Sequence, residues 1–213
     1  MGQRYFTKGR AMKFKSDIDI DFANRDQILS LLKHTPASII KDGKLSKHNT
    51  GVYFTDIPVD PYTGQSSLDY QKAEDRGYLK LDFLNVSLYQ QVKNESHLDQ
   101  LMQQEPDWEK LNDPAFCGQL IHIGNHYSTL TKMPEAVNSI TRMAMFLSVI
   151  RPAKRHLIGL PWAEVAKTVF EKPQDDGYYF KKAHAISYAN LVVVHMNLLT
   201  NAEDTIKRFV EQV

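Results

Sequence analysis

The chain has 213 residues, 42% of them hydrophobic and 24% charged, with a formal net charge of +1. This suits one soluble globular domain, or one domain with a small appendage, and it excludes a membrane span, since no run approaches the required ~18 apolar residues. No secretory signal is expected, because no apolar segment follows the basic N-terminal residues; the lone Cys117 excludes an intrachain disulfide and a cysteine-based zinc site, and points to a reducing, cytoplasmic setting.

The N-terminal residues hold Arg4, Lys8, Arg10, Lys13 and Lys15 and no acid, which reads as a basic arm. Ser16–Phe22 alternates strictly, with Asp17, Asp19 and Asp21 on one face and Ile18, Ile20 and Phe22 on the other, as a half-buried strand does. Asn24 precedes a helical pattern over residues 25–34. Asp42-Gly43 marks a turn. Gly51–Ile57 reads as a second strand, Tyr62-Thr63-Gly64 as a loop, and Tyr78–Phe83 as a third strand with Tyr78, Lys80 and Asp82 sharing a face. Beyond it the patterns are helical: Leu84–Val92, Leu98–Gln104, Glu135–Ile150, Pro161–Phe170, then a long apolar helix over Ala183–Leu199 and a separate amphipathic one over Ala202–Val213. Strands first and helices afterwards predict an α+β fold, divided into 1–92 and 93–213.

The aspartates carry the most chemical information. Alternation along a strand sets Asp19 and Asp21 side by side, and Asp82 sits on a second strand with the same apolar backing. Several carboxylates held by rigid strands are what divalent magnesium needs, and two such ions serve phosphoryl transfer. An EF-hand loop is excluded, because Phe22 stands where that loop needs glycine and Ile28 where it needs glutamate. The acidic run alone fits the solvated face of an edge strand equally well; Lys80-x-Asp82 on a second strand favours a metal site. No dinucleotide, P-loop or nucleophile-elbow motif is present. His122 and His126, with Gly124-Asn125 between them, read as a turn, and Cys117 as a packed thiol.

Four segments, in chain order, resemble motifs of the bacterial family C replicative DNA polymerases, the family of the DNA polymerase III alpha subunit. They are Ser16-Asp17-Ile18-Asp19-Ile20-Asp21-Phe22, Lys47-His48-Asn49-Thr50-Gly51-Val52, Gly77-Tyr78-Leu79-Lys80-Leu81-Asp82-Phe83-Leu84, and Phe180-Lys181-Lys182-Ala183-His184-Ala185-Ile186-Ser187-Tyr188-Ala189. Weaker similarities lie at Phe116–Leu120 and Ile150-Arg151-Pro152. The resemblance implies a small mixed β-sheet palm of the nucleotidyltransferase (Pol beta-like) kind, followed by a mainly helical fingers-like part. It implies that Asp19, Asp21 and Asp82 are catalytic metal ligands for two Mg²⁺, with Mn²⁺ as a substitute. Lys47, His48, Lys80, Arg151, Lys181, Lys182 and His184 would face the dNTP or the primer-template.

The expected function is therefore DNA-directed DNA synthesis, in a strongly reduced, bacteriophage-like form working in a bacterial or host cytoplasm. Members of that family are several-fold longer and carry a Gly-Arg-Gly-Ser loop upstream of the aspartate strand. Nothing before Ser16 matches it, so other replication proteins are expected to supply missing elements. The alternatives are a non-catalytic, polymerase-derived protein that binds DNA or a replisome component, and a template-independent nucleotidyltransferase.

Overall fold

The computed structural model describes residues 18–175 and 177–211; Ser16, Asp17 and the basic arm lie outside them. The fold is mixed α+β, in two compact units, Met1–Gln90 and Gln91–Val213.

The first unit is built on a four-stranded mixed sheet. Its strands are β1 (Ile18–Phe22), β2 (Thr35–Lys41), β3 (Lys44–Tyr53) and β4 (Leu81–Asn85), in the order β1-β4-β3-β2. β1 runs parallel to β4, while β3 is antiparallel to both β4 and β2. Helix α1 (Arg25–Leu31) starts at Asn24, whose side chain accepts from the Gln27 backbone N–H, as an N-cap does. Leu29 of α1, Val52 and Phe83 form a small core, with Ile20, Phe22, Ile28 and Leu81 packed against it. The alternation of β1 thus sends Ile20 and Phe22 toward this core and leaves Asp19 and Asp21 exposed, with Ile18 at the strand's start exposed as well. A second small core of Ala37, Tyr53, Ile57 and Ala73 seats helix α2 (Tyr70–Asp75), capped by Asp69.

The strands differ from the sequence expectation in bounds and number. β2 is a strand the pattern did not reveal, since Pro36 and two polar neighbours break its alternation. Asp42 and Gly43, both at positive φ (50° and 74°), close a tight β2–β3 hairpin. β3 then begins at Lys44 and ends at Tyr53 instead of running over 51–57. β4 begins at Leu81, three residues later than expected, and extends through Leu84 and Asn85, which the helical pattern had claimed; Ser87–Gln91 is a short 3-10 turn.

The second unit is helical: α3 (Glu95–Gln103), α4 (Pro114–Gln119), α5 (Tyr127–Leu130), α6 (Ile140–Val149), α7 (Trp162–Thr168) and α8 (Lys182–Val210). Met143 to Val149 of α6 are all buried, as expected for the central helix of a bundle. Ala185, Ala189, Val192 and Met196, at three- and four-residue spacings, put one face of α8 into the same core. α6 starts at Ile140, capped by Ser139, not at Glu135. α8 is one helix of 29 residues, not two, because Thr200 and Asn201 continue the hydrogen-bonding ladder without a glycine or proline to stop it.

Candidate active site

The parallel pairing of β1 with β4 is the frame of the site. Its register sets Asp19 opposite Asp82 and Asp21 opposite Leu84. Register partners on adjacent strands share a face and stand about 4.8 Å apart. Asp19, Asp21 and Asp82 therefore occupy one face of two neighbouring strands. The carboxyl of Asp21 titrates above its ordinary range, first because part of its environment is desolvated and second because Asp19 is close. Burial, with the charge of Asp21 nearby, likewise raises the Tyr89 phenol.

Asp82 is buried and well partnered. Thr50 Oγ1 donates to its Oδ1 at 2.7 Å, and the Lys80 ammonium donates to its Oδ2. Lys80 lies just before β4 rather than in it. Its stem reaches Asp82 by crossing β3 at Gly51, the register partner of Asp82. A Cβ on Gly51 would stand 2.8 Å from Lys80 Cδ, 3.0 Å from Ala37 Cβ and 3.1 Å from His48 Nδ1. The glycine is thus a notch in the strand through which the lysine passes.

A bulge supplies the rest of the cluster. Between the pairs Ser38↔Lys47 and Pro36↔Val52, β2 spends one residue and β3 spends four, so the pairing is irregular over His48–Gly51. Such irregularities re-aim side chains. Here the bulge folds His48 back on its own strand, where Nδ1 accepts from the Gly51 N–H at 2.9 Å and the Thr50 N–H at 3.3 Å. That nitrogen also lies 3.7 Å from Asp82 Oδ1, but it is already an acceptor, so the approach is not an ion pair. Burial and then the Lys80 charge hold the imidazole below its usual pKa, consistent with a neutral ring protonated at Nε2. Tyr70 at the start of α2 closes the cluster, its ring edge-on to His48 at 5.5 Å and 5.8 Å from the Lys80 ammonium.

The remaining sequence candidates fall elsewhere. Lys47 is exposed and lines an open cleft of about 230 Å³ beside α1, with Arg25, His34 and Val52. Arg151, Lys181, Lys182 and His184 belong to the second unit. Lys181 and Lys182 are exposed at the start of α8, and His184 is half-buried in its first turn. The guanidinium of Arg151 lies over the Phe180 ring, 3.9 Å from its centroid.

Three participants carried no warning as isolated residues. Thr50 and Gly51 sit inside a quoted motif, but their roles depend on the bulge. Tyr70 has no motif, and only the docking of α2 brings it to His48. Among the described residues no three His, Cys, Asp or Glu side chains converge as a metal cluster, and the Asp82 carboxylate is turned to Lys80 and Thr50. In donor chemistry the three carboxylates suit a hard divalent ion. Compared with protein families, with curated proteins and with solved structures, the chain gives no match.

Proposed function

We propose that the first unit is a reduced palm of the nucleotidyltransferase kind, and that the chain catalyses template-directed DNA synthesis as a relative of the bacterial family C polymerases. The observation that carries this reading is the register of Asp19 with Asp82 across a parallel strand pair, with Asp21 two residues along. Two neighbouring strands thus contribute hard oxygen ligands to one face.

Two Mg²⁺ ions, held by Asp19, Asp21 and Asp82, would activate a primer 3′-hydroxyl and neutralise the triphosphate as pyrophosphate leaves. The chain's own residues have the following tasks. Asp19, exposed and beside Asp82, would hold a cation without desolvation of a buried charge. Lys80 holds Asp82 in place; once released, its ammonium is a donor for phosphate oxygens. Thr50 and the neutral His48 fix the bulge that orients this face. Within the second unit, Arg151, Lys181, Lys182 and His184 would serve binding of nucleotide or primer-template, and replication proteins would supply the elements this chain lacks.

The test is primer extension with Mg²⁺ or Mn²⁺, with and without template, comparing the wild type with Asp19→Asn and Asp82→Asn. Extension that follows the template and falls by at least about a hundredfold in each variant supports the proposal. Addition without template would make the protein a terminal transferase.

The second reading is a non-catalytic protein of polymerase descent that binds DNA. It is favoured by one observation, the engagement of Asp82 by Lys80 and Thr50, which gives the carboxylate a structural task. DNA binding that is unchanged in both variants, without incorporation by the wild type, would select it.

A further inference from the structure

The core-facing stripe of α8 continues past the helical bundle. Ala185, Ala189, Val192 and Met196 lie in the helical core, and Leu199 packs against it. The same three- and four-residue spacing then runs on through Glu203, Ile206 and Val210. Glu203 is ion-paired with Lys110, but from Asp204 to Glu211 every residue is exposed. Ile206, Phe209 and Val210 are 64%, 71% and 67% exposed, so two turns of helix carry an uncovered apolar stripe. Lys207, one position from Ile206 and three from Val210, lies along its border. A helical segment this short is marginal in water on its own propensity, and most helical stability comes from packing such a face.

The same unit holds an open groove of about 310 Å³. Its floor is apolar, formed by Trp108, Leu111, Leu130, Met133 and Val137. Glu109 and Asn138, both exposed, stand at its rim. The surrounding segment is acidic: residues 105–113 hold Glu105, Asp107, Glu109 and Asp113 against one base, Lys110, which Glu203 already engages. Glu135 also lines the groove, but it is bonded to Arg142 and accepts from the Trp162 N–H, so Glu109 is the carboxylate placed for an incoming cation. The walls are fixed in place. Trp108 Nε1 donates to Glu105 Oε1 at 2.6 Å, Asn112 Nδ2 to Glu109 Oε2 at 3.0 Å, and Tyr127 Oη to the Asn112 carbonyl at 2.9 Å. A preformed apolar recess with a polar rim is what an interface anchor fills at low ordering cost.

We propose that the end of α8 docks into the Trp108–Val137 groove of a second copy of this chain, so that the protein self-associates through its helical unit. Phe209 is the aromatic anchor, Ile206 and Val210 flank it, and Lys207 meets Glu109, in the manner of an amphipathic helix laid in a groove. The two surfaces match in both respects that decide such a contact: apolar stripe against apolar floor, and cationic border against acidic rim. Stripe-to-stripe pairing of two α8 ends is the poorer arrangement, because two turns of helix bury far less than the roughly 1,200–2,000 Å² of a stable interface. Reciprocal docking uses the groove and the helix end of both copies and closes a two-fold dimer. Its parts are those of the second unit alone, and it stands whether or not the first unit is a polymerase palm.

The test is sedimentation equilibrium of the full chain across a wide concentration range, which reads the dimer constant. The wild type should pass from monomer to dimer as concentration rises. Phe209→Ser should weaken the dimer at least about tenfold, as truncation of an interface anchor does. Asn138→Arg, which puts a long cationic side chain at the rim of the groove, should weaken it by a similar factor. Both positions are exposed, so the fold is kept, and far-UV circular dichroism checks it. Glu109→Lys should weaken association about two- to fivefold, the range of an exposed ion pair, and adding Lys207→Glu in the same chain should restore it. The decisive sample mixes Phe209→Ser, which keeps its groove, with Asn138→Arg, which keeps its helix end. A pair held by one intact contact should form in the mixture at concentrations where each variant alone is monomeric. A wild type that stays monomeric, association that ignores Phe209→Ser or Asn138→Arg, a double variant no tighter than Glu109→Lys, or no pair in the mixture would overturn the proposal. Association lost in Phe209→Ser but kept in Asn138→Arg would identify stripe-to-stripe pairing in its place.

Discussion

Asp19 and Asp82 are register partners on parallel strands, yet one is exposed and the other buried. β1 is an edge of the sheet and β4 is flanked on both sides, so the same face is open to solvent at Asp19 and covered at Asp82. The consequence is a division of labour. Asp19→Asn is expected to change activity and leave stability within about 0.5 kcal/mol, as exposed substitutions do; Asp82 substitutions act on both.

The Lys80–Asp82 pair has only 16% and 9% of its side chains exposed. Breaking a buried pair costs about 3–5 kcal/mol because the remaining charge is stranded. Asp82→Ala and Lys80→Met should therefore each lower the urea midpoint strongly, while the double variant loses much less than the sum. A double-mutant cycle in urea measures the difference; additivity would mean the two side chains are independent.

Gly51→Ala should displace Lys80. The added methyl meets the lysine stem, the Ala37 methyl and the His48 ring at once, and overpacking of this kind costs about 1–3 kcal/mol. The expected readout is a loss of stability together with a faster reaction of Lys80 with an acylating reagent, followed by mass spectrometry. Unchanged Lys80 reactivity would refute the notch.

Asn197 is the polar residue to change in the helical core. Only 1% exposed, it donates from Nδ2 to the carbonyls of Leu101 at 2.9 Å and Gln104 at 2.8 Å, tying the end of α3 to α8. Asn197→Leu leaves both carbonyls unpaired and should cost about 2–4 kcal/mol. Hydrogen exchange at the end of α3 should rise at the same time.

Acidification should destabilise the helical unit. His122, His126 and His195 all titrate below 6.5 in the fold, chiefly through burial. His195 Nδ1 accepts from the Ile121 N–H at 3.0 Å, a bond the charged ring cannot keep. As pH falls through 6.5 the unfolded chain binds protons before the folded one, so stability drops from there down to the folded-state pKa values and then levels. Asp21, raised above 3.8, works in the opposite sense at lower pH, since there the folded state protonates first. Urea midpoints at pH 7.5 and 5.5 give the slope, and His195→Gln should flatten it.

The legible parts of the sequence were those with local causes. Strict alternation gave β1 and its exposed acids, Asn24 announced α1, and Asp42-Gly43 marked the hairpin. The α+β order followed from the switch of periodicity after Phe83. β2 was hidden because Pro36 and the buried, hydrogen-bonded Ser38 interrupt its apolar pattern. The site was half visible. The aspartates and Lys80 stood in motifs, but the His48–Gly51 bulge, the passage at Gly51 and the arrival of Tyr70 depend on pairing across the sheet. His122 lies in a turn, as the Gly124-Asn125 pair beside it indicates, while its φ of +64° and its aromatic neighbours come from tertiary packing.

The lone thiol offers a practical handle. Cys117 is fully buried, its Sγ donates to the Leu111 carbonyl at 3.2 Å, and burial pushes its pKa up to about 11. Thiolate is the reactive species, so a maleimide should label the native chain only when the helix around Cys117 opens. The labelling rate is then a clock for breathing of the helical bundle. A cysteine placed on any exposed position becomes, for the same reason, the one site that accepts a fluorophore quickly.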